Sequence, residues 1–156
     1  MKIYLIDGNN LMLKIKRTAS VWKTSKQGSR ELLVSLLFES PQLRKAKVKI
    51  FFDGVENGRI SSAGMTLHYS GGKPADYYIR KEIEQSKNPK LITVISSDHE
   101  IINLAKACLC TVITSEEFSQ SLEKESEESS EEAKISALSR ENDEIYQLLS
   151  RKKKPE

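Results

Sequence analysis

The chain has 156 residues, 38% hydrophobic and 30% charged, with a formal net charge of +3. That length suits one domain with its own core plus a tail, and the composition is that of a soluble globular chain, more charged than average. No apolar stretch is long enough to cross a bilayer, and Asp7 inside the first strand-like run argues against a signal peptide. Cys108 and Cys110 stand too close together for a disulfide and have no clustered partners for zinc, so they read as reduced core thiols in a cytoplasmic protein. The charge is uneven. Residues 1–50 carry eleven Lys and Arg against three acids, whereas residues 121–156 carry seven against ten. A basic first third fits a polyanion partner, most simply nucleic acid, although scattered lysines are also ordinary solvated surface.

In chain order, "KIYLID" predicts a strand, and the Lys- and Ser-rich stretch from Lys14 to Gly28 reads as a loop. "SRELLVSLLFES" has apolar residues at helical spacing, with Gly28-Ser29 before it and Pro41 after it. "KVKIFFDG" is the next strand, and "MTLHYS" a short one that runs into the turn "GGKP". "ADYYIRKEIEQS" is helical, "LITVISSD" a β-branched strand, "HEIINLAKACL" a helix, and "CTVITSEEF" a last short strand turning into a helix. Strands separated by helices need crossover connections, so the expected fold is a three-layer α/β domain with a mostly parallel sheet and helices on both faces. After Ser121, "SLEKESEESSEEAK" has almost nothing to bury and is either disordered or a solvated helix. Ile135, Leu138, Ile145, Leu148 and Leu149 then restore helical apolar spacing ahead of the basic "RKKKP". The expected division is a domain over 1–120, an acidic low-complexity linker over 121–134, and a C-terminal helix with a basic tail over 135–156.

Three predicted strands end in an acid: Asp7 in "LIDGNN", Asp53 in "FFDG" and Asp98 in "ISSD". A fourth acid, Asp76, lies in the first turn of the "ADYYI" helix. Ligands of open parallel sheets bind outside the C-terminal strand ends, and neighbouring strands lie about 4.8 Å apart, so these carboxylates can converge. Each has a plain explanation by itself: Asp76 as a first-turn acid, Asp98 as an N-cap, Asp53 as a turn residue. Together they would repel one another unless a cation neutralised them, and an all-oxygen donor set selects Mg²⁺ or Mn²⁺. Such an ion activates water and stabilises charge on a phosphoryl group. A phosphatase of the haloacid dehalogenase type would need an acid where Asn9 stands. A receiver domain would need paired acids after the first strand and a lysine ending a late one. Both fit less well.

The pieces "YLIDGNNLM", "SRELLVSLL", "IFFDG", "MTLHYSGGKPADYYIRKEI", "TVISSDHEIINLAK" and "VITSEEF" resemble, in order, the NYN-domain proteins of the YacP-like family. The resemblance covers most of residues 1–122. It implies a PIN-like, Rossmann-like α/β fold and a metal-dependent endoribonuclease, of a kind that in some members cuts messenger RNA at the ribosome. By that resemblance Asp7, Asp76 and Asp98 would be catalytic and metal-holding. Asp53 would be a ligand or an outer-shell acid, Asn10 would orient Asp7 or a bound water, and Ser97 would offer a hydroxyl or amide. Arg30 matches a basic residue that would face the phosphate, or is an ordinary helix-start arginine. From the residues themselves, Lys73 in "GGKP" is a candidate phosphate contact and Trp22 a candidate base platform; each also fits ordinary surface. The expected partner is RNA, single-stranded or messenger, with the ribosome as a further one. The rivals are a catalytically weak RNA- or ribosome-binding module and an enzyme of the same fold that acts on DNA or nucleotides. The chain departs from the family in having "ACLCT" where a glycine turn is usual, in residues 14–28, and in the acidic segment.

Overall fold

The computed structural model describes residues 1–62 and 64–152. The end of the basic tail lies outside them. Two units are distinguished, residues 1–122 and 123–156.

The first unit is built on five parallel strands: β1 (Ile3–Asp7), β2 (Lys47–Phe52), β3 (Thr66–Tyr69), β4 (Ile92–Ile95) and β5 (Thr111–Ile113), in the order β3-β2-β1-β4-β5. Side chains alternate across a strand, and the sequence uses both faces. Tyr4, Ile6, Ile50 and Phe52 point into one core with Leu11, Leu33, Leu37 and Phe118. Leu5, Phe51 and Val94 point into the other with Ile79, Ile83, Ile101 and Ala105. The first core is roofed by α1 (Gly8–Lys14), α3 (Lys26–Glu39) and the opening turns of α6 (Ser115–Lys152). The second is roofed by α4 (Ala75–Gln85) and α5 (His99–Ala107). Burial on both sides is why β1, β2 and β4 read as apolar runs, and it gives the three-layer parallel α/β fold the sequence predicts.

One expectation fails. Between Lys14 and Gly28 the chain is not a loop: α2 spans Lys16–Trp22. It has little apolar periodicity because it is seated by hydroxyls. Thr18 Oγ1 donates to the Met12 carbonyl at 2.6 Å, and Ser29 Oγ donates to the Thr18 carbonyl at 2.8 Å. In the "ACLCT" stretch, Leu109 takes the left-handed conformation at φ 65. The N–H of Cys110 bonds to the Ala105 carbonyl and that of Leu109 to the Lys106 carbonyl, the Schellman ending that normally selects glycine.

The second unit is the continuation of α6. The acidic segment is a helix whose residues are almost all exposed, and so are Ile135, Leu138, Ile145, Leu148 and Leu149. Among the described residues no helix is long and apolar enough to cross a membrane.

Candidate active site

The chain order 3-2-1-4-5 reverses direction at β1. The strands leading to β2 and β3 lie on one side of it, β4 and β5 on the other. The crevice between the C-terminal tips of β1 and β4 is therefore the switch point where such sheets bind ligands. Asp7 stands there. Ile6 pairs with Ile95, so the next residue of β4's chain, Ser96, comes beside Asp7, and Ser96 Oγ donates to Asp7 Oδ2 at 2.9 Å. Gly8 follows because nothing larger fits. A Cβ there would lie 2.7 Å from the Phe52 ring and 2.8 Å from the Phe51 carbonyl oxygen.

Asp7 is only 8% exposed. Its pKa is raised from 3.8 to about 6, first by burial, then by the charges of Asp53 and Asp98, against the lowering effect of the Ser96 hydrogen bond and the Asn10 backbone. Asp7 thus feels the charges of two of the other three predicted acids.

The other acids are tied into the scaffold. Asp98 caps α5, its Oδ1 accepting from Glu100 N at 2.9 Å and Ile101 N at 3.3 Å, while its own N–H donates to Ser96 Oγ. Asp53 Oδ1 accepts from Ala75 N at 2.7 Å and so holds the start of α4. Asp76, one residue on, is turned toward Arg80, which it meets at 3.1 Å, and Arg80 also reaches Glu100 at 3.7 Å. Asp76 is not among the charges that act on Asp7. Among the described residues no three His, Cys, Asp or Glu side chains are disposed around one ion. The donor chemistry fits Mg²⁺ or Mn²⁺, since a cation would relieve the raised Asp7, and among the described residues Asp53 and Asp98 commit only Oδ1 to protein donors. A closed cage of ligands is not formed.

Asn10 meets Asp7 through its backbone and the neighbouring loop through its side chain. Its Oδ1 accepts from Ser97 N at 3.0 Å and from Ser115 Oγ at 2.6 Å, which fastens the β4 tip to the start of α6. Ser97 Oγ in turn donates to Glu116 and accepts from Ser115 N. Glu116 is held well down, at about 2, chiefly by that Ser97 bond and also by Lys14 at 3.0 Å.

Arg30 is built into the scaffold. It is 6% exposed, its guanidinium lies over the rings of Phe52 (5.4 Å) and Tyr69 (5.3 Å), and it donates to the carbonyls of Asp53 (2.7 Å) and Val55 (3.0 Å). It braces the β2 tip. Trp22 packs half-buried against the core with Lys26 Nζ 5.3 Å above its ring, so it offers no free platform. Lys73 is exposed and rests 4.2 Å over Tyr77.

Sequence reasoning missed Ser96, Asn9 and Glu116. Asn9 Oδ1 accepts from Asp53 N at 3.0 Å, tying the tips of β1 and β2 together. Strand register places Ser96 and Asn9, and the start of α6 places Glu116 beside Ser97 and Lys14; no local pattern carries either.

Fold and site together define a parallel α/β domain with an acidic switch-point crevice. The chain matches the model of the YacP-like NYN domain over residues 4–155 and belongs to that family, a nuclease class of domain. It is similar to two crystal structures of Rae1 (YacP) from Bacillus subtilis. A tryptophan-to-leucine variant aligns at 20% identity and a TM-score of 0.68 over 88% of this chain and 85% of that one. The other structure aligns at 19% and 0.66, over 97% and 95%. At that identity the likeness speaks for the fold. No curated protein matches the chain.

Proposed function

We propose that the protein is a metal-dependent endoribonuclease of the cytoplasm that hydrolyses RNA phosphodiesters to 5′-phosphate and 3′-hydroxyl ends. Messenger RNA, on the ribosome, is the setting that the family resemblance suggests. The observation that carries the reading is the buried Asp7 at the switch point, pushed up to about 6 with Asp53 and Asp98 as charged neighbours. Asp7 and Asp98 would hold Mg²⁺ or Mn²⁺, supported by Asp53, with Asp76 joining on release from Arg80. When bound, such an ion supplies activated water and charge stabilisation at phosphorus. The chain's own residues prepare the place. Ser96 orients the Asp7 carboxylate, Asn10 and Ser115 hold the Ser97 loop, and Arg30 and Asn9 keep the β2 tip in position.

A second reading, an RNA- or ribosome-binding module with weak cleavage, is favoured by the Asp76–Arg80 pair and the open acid arrangement. Cleavage of a labelled single-stranded RNA with Mn²⁺ decides between them. The nuclease reading expects Asp7→Asn to lower the rate by at least about 100-fold, as loss of a group central to charge stabilisation does. It also expects a Mn²⁺-induced thermal shift in the wild type that the variant lacks. Tight RNA binding by an inactive wild type would establish the binding module instead.

A further inference from the structure

From Gly8 to Arg30 the chain has six basic residues and no acid. The structure sorts them. Arg30 is buried in its brace, Lys14 is paired with Glu116, and Lys26 lies over Trp22. Lys16, Arg17 and Lys23 remain. All three are exposed, and none forms an ion pair with a described residue.

These three sit on α2 or at its C-cap. At 3.6 residues per turn, Lys16, Ser20 and Lys23 fall near one line, with Arg17 about a quarter turn around the helix from it. The opposite side carries Thr18, fully buried and bonded to the Met12 carbonyl. The exposed side therefore presents cations and hydroxyls (Ser20, Thr24) and no large apolar anchor. Protein interfaces deplete charge at their centres and need apolar or aromatic anchors. A sugar–phosphate backbone is gripped by cations and hydroxyls.

The stripe also starts next to the candidate site. α1 begins at the residue after Asp7, and its seven residues span about 10 Å. Its last residue, Lys14, is pinned through Glu116 to Ser97 on the β4 tip. α2 begins two residues later.

We infer that Lys16, Arg17, Ser20 and Lys23 on α2 form the track that holds the phosphate backbone of the single-stranded RNA flanking the bond to be cut. This rests on the nuclease reading for the words "to be cut", and on geometry and charge for the track itself. It adds to Arg30, Lys73 and Trp22, where the sequence placed the RNA grip, residues the sequence left in a loop.

The test uses the full chain with EDTA present, so that binding is read without cleavage. The triple variant Lys16→Gln, Arg17→Gln, Lys23→Gln is compared with wild type and with a control triple, Lys81→Gln, Lys87→Gln, Lys90→Gln, which removes the same charge from other exposed positions. Affinity for an unstructured oligonucleotide is followed by anisotropy as salt is raised. The track predicts that the log–log salt slope of the first variant falls by about 2, three charges at about 0.7 each, while the control keeps the wild-type slope. With Mn²⁺, the first variant should raise KM and leave kcat unchanged. An unchanged slope, or an equal fall in the control, overturns the track. The nuclease reading fails separately: a wild type that never cuts RNA still tests the track by its slope.

Discussion

α5 and the distal part of α6 carry similar apolar spacing and meet opposite fates. In α5, Ile101 and Ala105 are fully buried against the sheet. In α6, Ile135, Leu138, Ile145 and Leu149 recur at helical intervals and remain 53% to 66% exposed. Periodicity thus decides that a segment is helical with an apolar stripe, but not whether anything covers the stripe. What differs is the surroundings in sequence. α5 stands between two strands, and closing the parallel sheet presses it onto β-branched residues. Residues 123–152 lie within one helix, and their neighbours are Ser, Glu and Lys.

The largest effect that would break this comparison is a pair of truncations. Leu37→Ala in the first core should cost about 3 kcal/mol in urea denaturation, whereas Leu138→Ala should stay within about 0.5 kcal/mol. An equal cost at Leu138 would mean that its stripe is covered in solution.

The next effect lies inside the compact unit, where a buried charge opposes the burial around it. The folded pKa of Asp7, about 6, exceeds its ordinary 3.8. The native state therefore holds a proton that the unfolded chain has lost, and the wild type loses stability as pH rises from about 4 through 6. Asp7→Asn keeps an acceptor for Ser96 and removes the charge. In metal-free buffer at pH 8 it should be more stable than wild type by about 3 kcal/mol, at 1.36 kcal/mol per unit, with the gain gone below pH 4. A flat difference across pH would contradict the burial of that charge.

The smallest effect sharpens the comparison at a helix end. Leu109 is 66% exposed and left-handed, a conformation costly for any residue with a Cβ. Leu109→Gly should gain about 0.5 to 1 kcal/mol by thermal melting. A loss would show that the side chain makes a contact worth more than the strain.

Much of the fold was legible in local pattern. Apolar runs marked β1, β2 and β4, helical spacing marked α3, α4 and α5, and alternation of the two types implied a parallel three-layer sheet. The acids at the strand tips were legible too, because a polar residue ending a buried strand is conspicuous. α2 was not, since its seat depends on Thr18 and Ser29 hydroxyls meeting backbone carbonyls rather than on apolar spacing.

Sequence by itself determined most of the strands and helices and that Asp7 would finish β1 and Asp53 would follow β2, because these follow from short-range periodicity and burial; Asp98 lies three residues beyond β4, as the N-cap of α5. Only the tertiary structure decided who meets whom. Asn10 joins Ser115 across 105 residues, Ser96 joins Asp7 across 89, Arg30 braces the Asp53 carbonyl, and Asp76 turns to Arg80. Such pairings come from strand order and register, and a directional hydrogen bond forms only when packing has brought donor and acceptor within about 3 Å.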